Sequence, residues 1–141
     1  MLRGEFDDAA ESTPEELRES YESVLAEVVE SVGIETVVDE TGLGRERVSA
    51  LLEGESPELT VSEAAGILAL ADEWPDAEAI QFEAQDILLM GMTSAVLDVD
   101  SLASKLDGDT DAKTIQAMIE GRHPMTLEQY AKIHHLVTTD R

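Results

Sequence analysis

An internal repeat constrains the fold of this chain more than any other feature. Residues 48–70 read VSALLEGESPELTVSEAAGILAL, and residues 115–136 read IQAMIEGRHPMTLEQYAKIHHL, with one residue deleted in the middle. The matching positions are apolar residues and residues that start or end helices: Val48 with Ile115, Leu51 with Met118, Gly54 with Gly121, Thr60 with Thr126, Ile67 with Ile133 and Leu70 with Leu136. A duplicated folding unit would keep these positions, so the repeat predicts two copies of one helical unit.

Helix-capping signals set the element boundaries. Thr13-Pro14-Glu15-Glu16 places a threonine at the N-cap, a proline at the first helical position and a glutamate that closes a capping box, and Thr60 and Thr126 start similar boxes. Between these signals, apolar residues recur at helical spacing. They predict helices over 14–32, 34–41, 45–53, 60–72, 75–90 (ended by Gly91), 93–97, 99–106, 111–120 and 126–137.

The predicted fold class is therefore all-α, since no segment shows the alternation of a half-buried strand. Residues 1–12 are polar and acidic and are predicted to be a disordered N-terminus. Residues 13–74 and 75–141 form the two predicted copies, packed together, and each copy begins with a long helix.

The charge of the chain is strongly negative and unevenly spread. The formal net charge is −23, from 32 acidic and 9 basic side chains. Apolar residues at helical spacing argue against acidic disorder, so we interpret this charge as adaptation to molar salt, where the screening length is only about 3 Å. Residues 1–98 carry 25 acidic and 4 basic side chains, whereas residues 99–141 carry 7 and 5. The nearly neutral segment is either a contact face or more deeply buried.

Both copies resemble the helix-turn-helix domains of the phage-repressor/Cro type. The residues that carry the resemblance are a short apolar helix, a turn, a second helix that ends at Glu-Gly, a loop with a proline, and a helix that starts at threonine, over 34–71 and 99–137. The chain thus looks like a tandem helix-turn-helix protein, and as a whole it resembles small acidic haloarchaeal proteins of uncharacterised function. That second resemblance implies no activity.

The helix-turn-helix resemblance implies a set of DNA-contacting residues on the helix after each turn. In the first copy they are Arg45 and Arg47, and in the second copy they are Lys113, Thr114 and Gln116, followed in the loop by Arg122 and His123. Glutamine can read adenine, while arginine and lysine contact guanine or phosphate. The second copy is the better candidate reader, because Glu46 and Glu53 accompany the first.

Two functions stay open at this point. The first is a DNA-binding transcriptional regulator adapted to high salt, whose partner is double-stranded DNA. Molar salt screens its repulsion from phosphates, although it also removes most of the electrostatic attraction. The alternative is a protein–protein interaction or scaffold module that has kept the fold without binding DNA, and whose partner is another protein or a second copy of this chain. Met90, Met92 and the stripe of the 75–90 helix are its candidate contacts, unless they belong to the core.

Catalysis, cofactors and membranes have no support in the sequence. The chain has no cysteine, phosphate loop, nucleophile elbow or HExxH run, and His134 and His135 point about 100° apart on one helix, so we expect no enzyme activity, no cofactor and no metal. The N-terminus lacks the features of a signal peptide. Apolar runs such as Ile87–Met90 are too short to cross a bilayer, so a cytoplasmic location is predicted.

Overall fold

The computed structural model describes residues 13–106 and 110–139, with side chains as far as Val137. The fold is all-α, as predicted. The helices in these residues are α1 (Pro14–Val32), α2 (Ile34–Thr41), α3 (Arg45–Leu52), α4 (Val61–Leu68), α5 (Ala77–Ala95), α6 (Val99–Lys105), α7 (Ala112–Ile119) and α8 (Leu127–Thr139). We call α1–α4 the first unit and α5–α8 the second unit. The N-terminal segment 1–12, predicted to be disordered, lies outside the described residues.

The three predicted capping boxes form as expected. At Thr13 and Thr60 the threonine hydroxyl accepts the amide of the third helical residue, and the glutamate there accepts the threonine amide. At Thr126 a glutamine takes the same part: Gln129 Oε1 lies 2.9 Å from the Thr126 amide. Each box satisfies two amides that the first turn leaves without partners, so these helix starts follow from local sequence.

The predicted end of the long second-unit helix at Gly91 is wrong. Helix α5 starts at Ala77, capped by Asp76, and runs through Gly91 to Ala95, so no separate helix forms over 93–97. Gly91 is buried, and a Cβ built on it would lie 2.5 Å from Val137 Cγ2. This glycine therefore allows α5 and α8 to approach closely and does not end a helix. The helix predicted over 60–72 is also shorter than expected, since α4 ends at Leu68.

The two units meet around an approximate twofold axis. The amide of Val61 donates to the carbonyl of Met125 at 2.7 Å, and the amide of Leu127 donates to the carbonyl of Leu59 at 2.9 Å. These residues flank Thr60 and Thr126, which are equivalent positions of the repeat and form an isolated antiparallel bridge. Equivalent groups thus exchange equivalent hydrogen bonds, as in a symmetric dimer.

The duplication also includes the long first helices, where little sequence similarity remains. Helices α1 and α5 both have 19 residues, and their N-caps are Thr13 and Asp76. Counted from these caps, buried positions coincide: Leu17 with Ile80, Tyr21 with Ala84, Leu25 with Leu88, Val28 with Gly91, and Val29 with Met92. Helix α1 packs on α8 and α4, α5 packs on α4 and α8, and the buried side chains form one continuous core.

An aromatic cluster lies in the middle of this core. The hydroxyl of Tyr21 and Nδ1 of His134 are hydrogen-bonded at 2.8 Å, and the hydroxyl of Tyr130 donates to the carbonyl of Ala84 at 3.1 Å. The two tyrosine rings contact edge to face, with centroids 5.8 Å apart. The polar atoms of both tyrosines thus have partners inside the core, which lets them be buried without a large penalty.

Candidate functional site

Helix α7 of the second unit has one buried and one exposed side. Ile115, Met118 and Ile119 are buried, whereas Lys113 and Gln116 are exposed. The N-cap Asp111 accepts the amide of Thr114 at 2.8 Å, and this hydrogen bond holds the pKa of Asp111 below its usual value. Because the three apolar residues of α7 pack in the core, they hold the exposed side of the helix in place. Thr114, the third predicted DNA-contacting residue on α7 besides Lys113 and Gln116, is half-buried.

Two other predicted residues meet at one carboxylate beyond the end of α7. Arg122 Nε lies 2.9 Å from Glu120 Oε1, and Gln116 Nε2 lies 3.2 Å from Glu120 Oε2. These hydrogen bonds, that of Arg122 first, lower the pKa of Glu120. All three side chains are exposed, so the cluster is open to solvent. The structure thus brings Gln116 and Arg122 together, and places His123 next to them with its Nδ1 2.8 Å from the Pro124 carbonyl.

In the first unit, both predicted cations are engaged with carboxylates of their own unit. The Arg45 guanidinium forms an ion pair with Glu35. Arg47 binds Glu63 through both terminal nitrogens, at 3.1 and 2.9 Å, and also donates to the Glu58 carbonyl at 2.9 Å. The hydrogen bond with Glu63 raises the pKa of Arg47. Burial would raise the pKa of Glu63, but the hydrogen bonds from Arg47 and the Thr60 amide outweigh it and lower that pKa. Arg47 therefore fastens α3 to the start of α4.

Replacing Arg47 by glutamine should lower the free energy of unfolding by about 1 kcal/mol, because it removes a bidentate pair that is partly exposed to solvent. Arg45→Gln is the matched control, since the side chains of Arg45 and Glu35 are 57% and 71% exposed and their pair should contribute almost nothing. Urea unfolding of both variants in one buffer measures the difference. Equal midpoints for the two variants would show that Arg47 does not hold α3 to α4.

A cleft of about 410 Å³ lies beside Arg122 and His123, between the two units. Its walls come from the start of α4, from α5 and from the loop between α7 and α8. The lining includes apolar Leu88, Met118 and Met125 and polar Gln81, Gln85, Glu63, Arg122 and His123. This volume lies within the range of small-molecule sites, and about half of the lining residues are polar.

The equivalent place in the first unit is a smaller pocket of about 170 Å³, lined by Arg18, Ser56 and Glu128 among others. Arg18 donates to the carbonyls of Ser56 and Pro57 at 3.3 and 3.2 Å, and its Nε lies 3.1 Å from Glu22. Gln81, Gln85 and Ala84 of α5 are the positions equivalent to Arg18, Glu22 and Tyr21, counted from the two N-caps. The cleft is therefore larger than its counterpart, and the α5 side chains beside it are uncharged and, at Gln81 and Ala84, shorter.

An exposed apolar face lies at α5, where sequence reasoning proposed Met90, Met92 and the stripe of the 75–90 helix as partner contacts but did not single out Leu89 or Val96. Phe82, Leu89, Met90 and Val96 are 72%, 48%, 63% and 89% exposed. We call these four residues the outer α5 face. Of the methionines proposed as partner contacts, Met92 is buried and Met90 is exposed. The seven-residue spacing of Phe82 and Leu89 was the sequence signal for this face, since residues seven apart lie on one side of a helix. Val96 is the C-cap residue just beyond the end of α5 and has a left-handed backbone.

Comparison with known proteins gives one match. A family model described as a family of unknown function (DUF5791) matches residues 17–140. The chain belongs to this family. The DUF5791 match extends across both units, so the duplication lies within the region that defines the family. No curated protein and no solved structure matches the chain.

Two features of the DUF5791 chain concern metals and membranes. Within residues 13–106 and 110–139, no group of three or more His, Asp or Glu side chains is placed to hold a metal ion. In the same residues no single helix is long and apolar enough to cross a membrane; α5 and α6 pass that test only together, as a pair bent by 91°.

Proposed function

We propose that this chain is a non-enzymatic, DNA-binding transcriptional regulator of the helix-turn-helix type that works in a cytoplasm of high salt, and that its second unit contacts the DNA. The exposed side of α7 carries this proposal. Lys113 and Gln116 project from a helix whose other side is packed in the core, and Arg122 and His123 follow directly. A rigid helix with amide and cationic side chains on its outer side suits the major groove.

The ion pairs favour the second unit over the first as the reading unit. Arg47 would have to give up a bidentate pair and a carbonyl contact to reach DNA. Arg122 and Gln116 would have to leave Glu120, and the side chains of the Arg122–Glu120 pair are 63% and 43% exposed. Exposed ion pairs contribute about 0–1 kcal/mol, so releasing this one costs little. We therefore assign base contacts to the second unit and a supporting role to the first.

The net charge of −23 determines the conditions under which binding can occur. At low salt such a chain is repelled by phosphates, whereas at about 1 M salt the screening length of about 3 Å removes most of that repulsion. Salt also removes the gain from counterion release, so affinity must come from base contacts and shape. Binding should therefore be sequence-specific and should weaken little as salt rises.

The test is selection of genomic DNA fragments by the purified protein in about 2 M KCl, followed by sequencing. We expect a discrete motif to be enriched. Gln116→Ala and Arg122→Ala should each weaken binding to that motif about 5- to 150-fold, the equivalent of about 1–3 kcal/mol for a base contact. Binding of a labelled duplex that carries the motif measures the loss.

The internal repeat supplies the control. Ser49 is the position equivalent to Gln116 in the first unit, so Ser49→Ala should leave binding unchanged. If no motif is enriched by protein that circular dichroism shows to be helical, the DNA proposal is wrong. If Ser49→Ala and Gln116→Ala weaken binding equally, the assignment to the second unit is wrong.

The second candidate function is a protein-interaction or scaffold module that keeps this fold without binding DNA. The outer α5 face favours it, because four large apolar side chains exposed on one helix and at its C-cap are unusual on the surface of so charged a chain. This candidate and the first are compatible, since α7 and the outer α5 face belong to different helices.

A further inference from the structure

We infer that the cleft between the two units binds a small organic acid with an apolar body and one carboxylate. The cleft measures about 410 Å³, near the lower end of the range for small-molecule sites, so its occupant has the size of a metabolite. Its apolar wall includes Leu88, Met118 and Met125, which are buried side chains of the core. The core holds them in place before any ligand arrives, which lowers the cost of binding an apolar group there.

Two carboxamides on the α5 wall of the cleft have hydrogen-bonding capacity to spare. Gln81 and Gln85 are half-buried and line the cleft, and neither side chain has a hydrogen-bond partner in residues 13–106 and 110–139. Gln85 lies against the loop after α7, since its Nε2 is only 2.6 Å from a Cβ built on Gly121. Arg122 follows directly in the chain. An amide donor and a guanidinium thus converge at one end of the cleft, and both suit an acceptor such as a carboxylate.

The first unit shows what the equivalent place holds when side chains complete it. There Glu22 accepts the Ser56 hydroxyl at 2.7 Å and Arg18 Nε at 3.1 Å, while Arg18 also donates to the Ser56 and Pro57 carbonyls. These bonds tie α1 to the loop before α4. In the described part of the second unit, no side-chain hydrogen bond ties α5 to the corresponding loop. A ligand that joins the two glutamines to that loop would replace the missing network.

The charge of the lining favours an anion. Glu63 is the acidic residue there, and its charge is already compensated by the two terminal nitrogens of Arg47 and by the Thr60 amide. Among the described residues that line the cleft, Arg122 is the one with a permanent positive charge, which matches the single charge of a carboxylate. Another cleft of comparable volume, beside α1, would repel an acid because its lining includes Glu19, Glu22, Glu27, Glu30 and Glu55.

The inferred site does not depend on DNA binding, and it would hold for a scaffold module as well. Arg122 is also a proposed DNA contact, so the acid and DNA would compete for it; this consequence alone rests on the proposed function. The ligand experiment is therefore carried out without DNA, and its failure would leave the DNA proposal untouched.

Saturation-transfer NMR of the full chain with a set of apolar monocarboxylates, from hexanoate to naphthoate, tests the site. The solution contains about 2 M KCl, and the corresponding uncharged amides are measured beside the acids. We expect at least one acid to bind with a dissociation constant of about 1 mM or lower, and at least about fivefold more tightly than its amide. Binding by none of the acids, or equal binding of each acid and its amide, would overturn the inference.

A carboxylate introduced into the cleft tests the location. Gln85→Glu should weaken binding of the acid at least about tenfold and affect the amide much less, because charges in contact are screened little by salt. Ser94→Glu is the matched control: it adds the same charge to an exposed position of α5 outside the lining, and it should leave binding unchanged. Equal losses in the two variants would place the ligand elsewhere and overturn the inference.

A second variant covers the case that Gln85→Glu does not fold, which circular dichroism would show. Arg122 is exposed, so Arg122→Gln should keep the fold. It should weaken the acid about fivefold or more and leave the amide unchanged, because it removes a charge-assisted hydrogen bond that only the carboxylate makes. An acid that binds this variant as tightly as the unaltered chain would overturn the inference.

Discussion

Raising the pH above about 10 is expected to destabilise this protein steeply and to unfold it at about pH 12, because its two tyrosines are protonated while buried and ionise on unfolding. The chain has two tyrosines, Tyr21 and Tyr130, and both are fully buried. Burial raises the pKa of both hydroxyls well above the ordinary value, and for Tyr130 the nearby Tyr21 and Glu83 add to the effect. In the unfolded chain both would ionise near pH 10.

The direction of the effect follows from proton binding. Between the unfolded and folded pKa values the native state holds both protons and the unfolded state has lost them, so the free energy of unfolding falls as pH rises. Each tyrosine contributes about 1.4 kcal/mol per pH unit, so the pair contributes about 2.7 kcal/mol per unit. A domain with a stability of about 5 kcal/mol would reach its midpoint near pH 12.

Tyrosinate absorbance and far-ultraviolet circular dichroism, followed in one alkaline titration, measure this coupling. Both signals should change in a single step. Tyr130→Phe keeps the ring and removes one hydroxyl, so the fall in stability per pH unit should drop to about half. Tyrosinate absorbance that appears near pH 10 while the helices remain would contradict the prediction.

Gly91→Ala is expected to destabilise the protein by about 1–2 kcal/mol, although alanine is the better helix former. The new methyl group would lie 2.5 Å from Val137 Cγ2 and 2.9 Å from Val137 Cβ. Because the Cβ atom is fixed to the backbone, α5 and α8 would have to move apart. Such overpacking costs about 1–3 kcal/mol, and an overlap with Cβ as well as Cγ2 belongs to the upper part of that range. About 1–2 kcal/mol therefore remains after the gain of about 1 kcal/mol in helix propensity. Thermal or urea unfolding measures the difference.

Gly66→Ala is the matched control for this substitution. Gly66 also lies inside a helix, α4, but a Cβ there would meet only Thr41 Cγ2, at an ordinary 3.9 Å. The same change should therefore stabilise the protein by about 0.5–1 kcal/mol. Adding Val137→Ala to Gly91→Ala should recover part of the loss, because it removes the nearer of the two clashing atoms. A stabilised Gly91→Ala variant would show that α5 and α8 are not in close contact there.

Local sequence was sufficient to predict the helix starts and the duplication. A capping box joins residues three apart, so Thr13, Thr60 and Thr126 mark the beginnings of helices whatever they later pack against. The repeat likewise predicted equivalent positions, and Thr60 and Thr126 meet at the approximate twofold axis. The capping boxes and the repeat depend on the order of residues along the chain, so they can be identified from the sequence directly.

Local sequence was sufficient to predict only part of the candidate site. Residues 113–123 were identified as one stretch because they follow one another, and the structure keeps Gln116 and Arg122 together on Glu120. The ion pair of Arg47 with Glu63 joins residues 16 apart on two helices, and no pattern within either helix predicts it. The cleft arises from the pairing of the two units, so its residues could not be grouped before the units were placed.

Tertiary packing decided the role of each residue whose burial depends on the element that packs against it. Gly33 and Gly42 follow the ends of α1 and α2 with a positive φ, whereas Gly91 lies inside α5 against Val137. The same apolar spacing describes a buried stripe on α1 and, at Phe82 and Leu89, an exposed one on α5. The sequence by itself determined which segments are helical and that they form two similar units, because hydrogen bonds within a helix are local. Only the arrangement of those units determined which sides are covered, since burial is a property of the contacts between them.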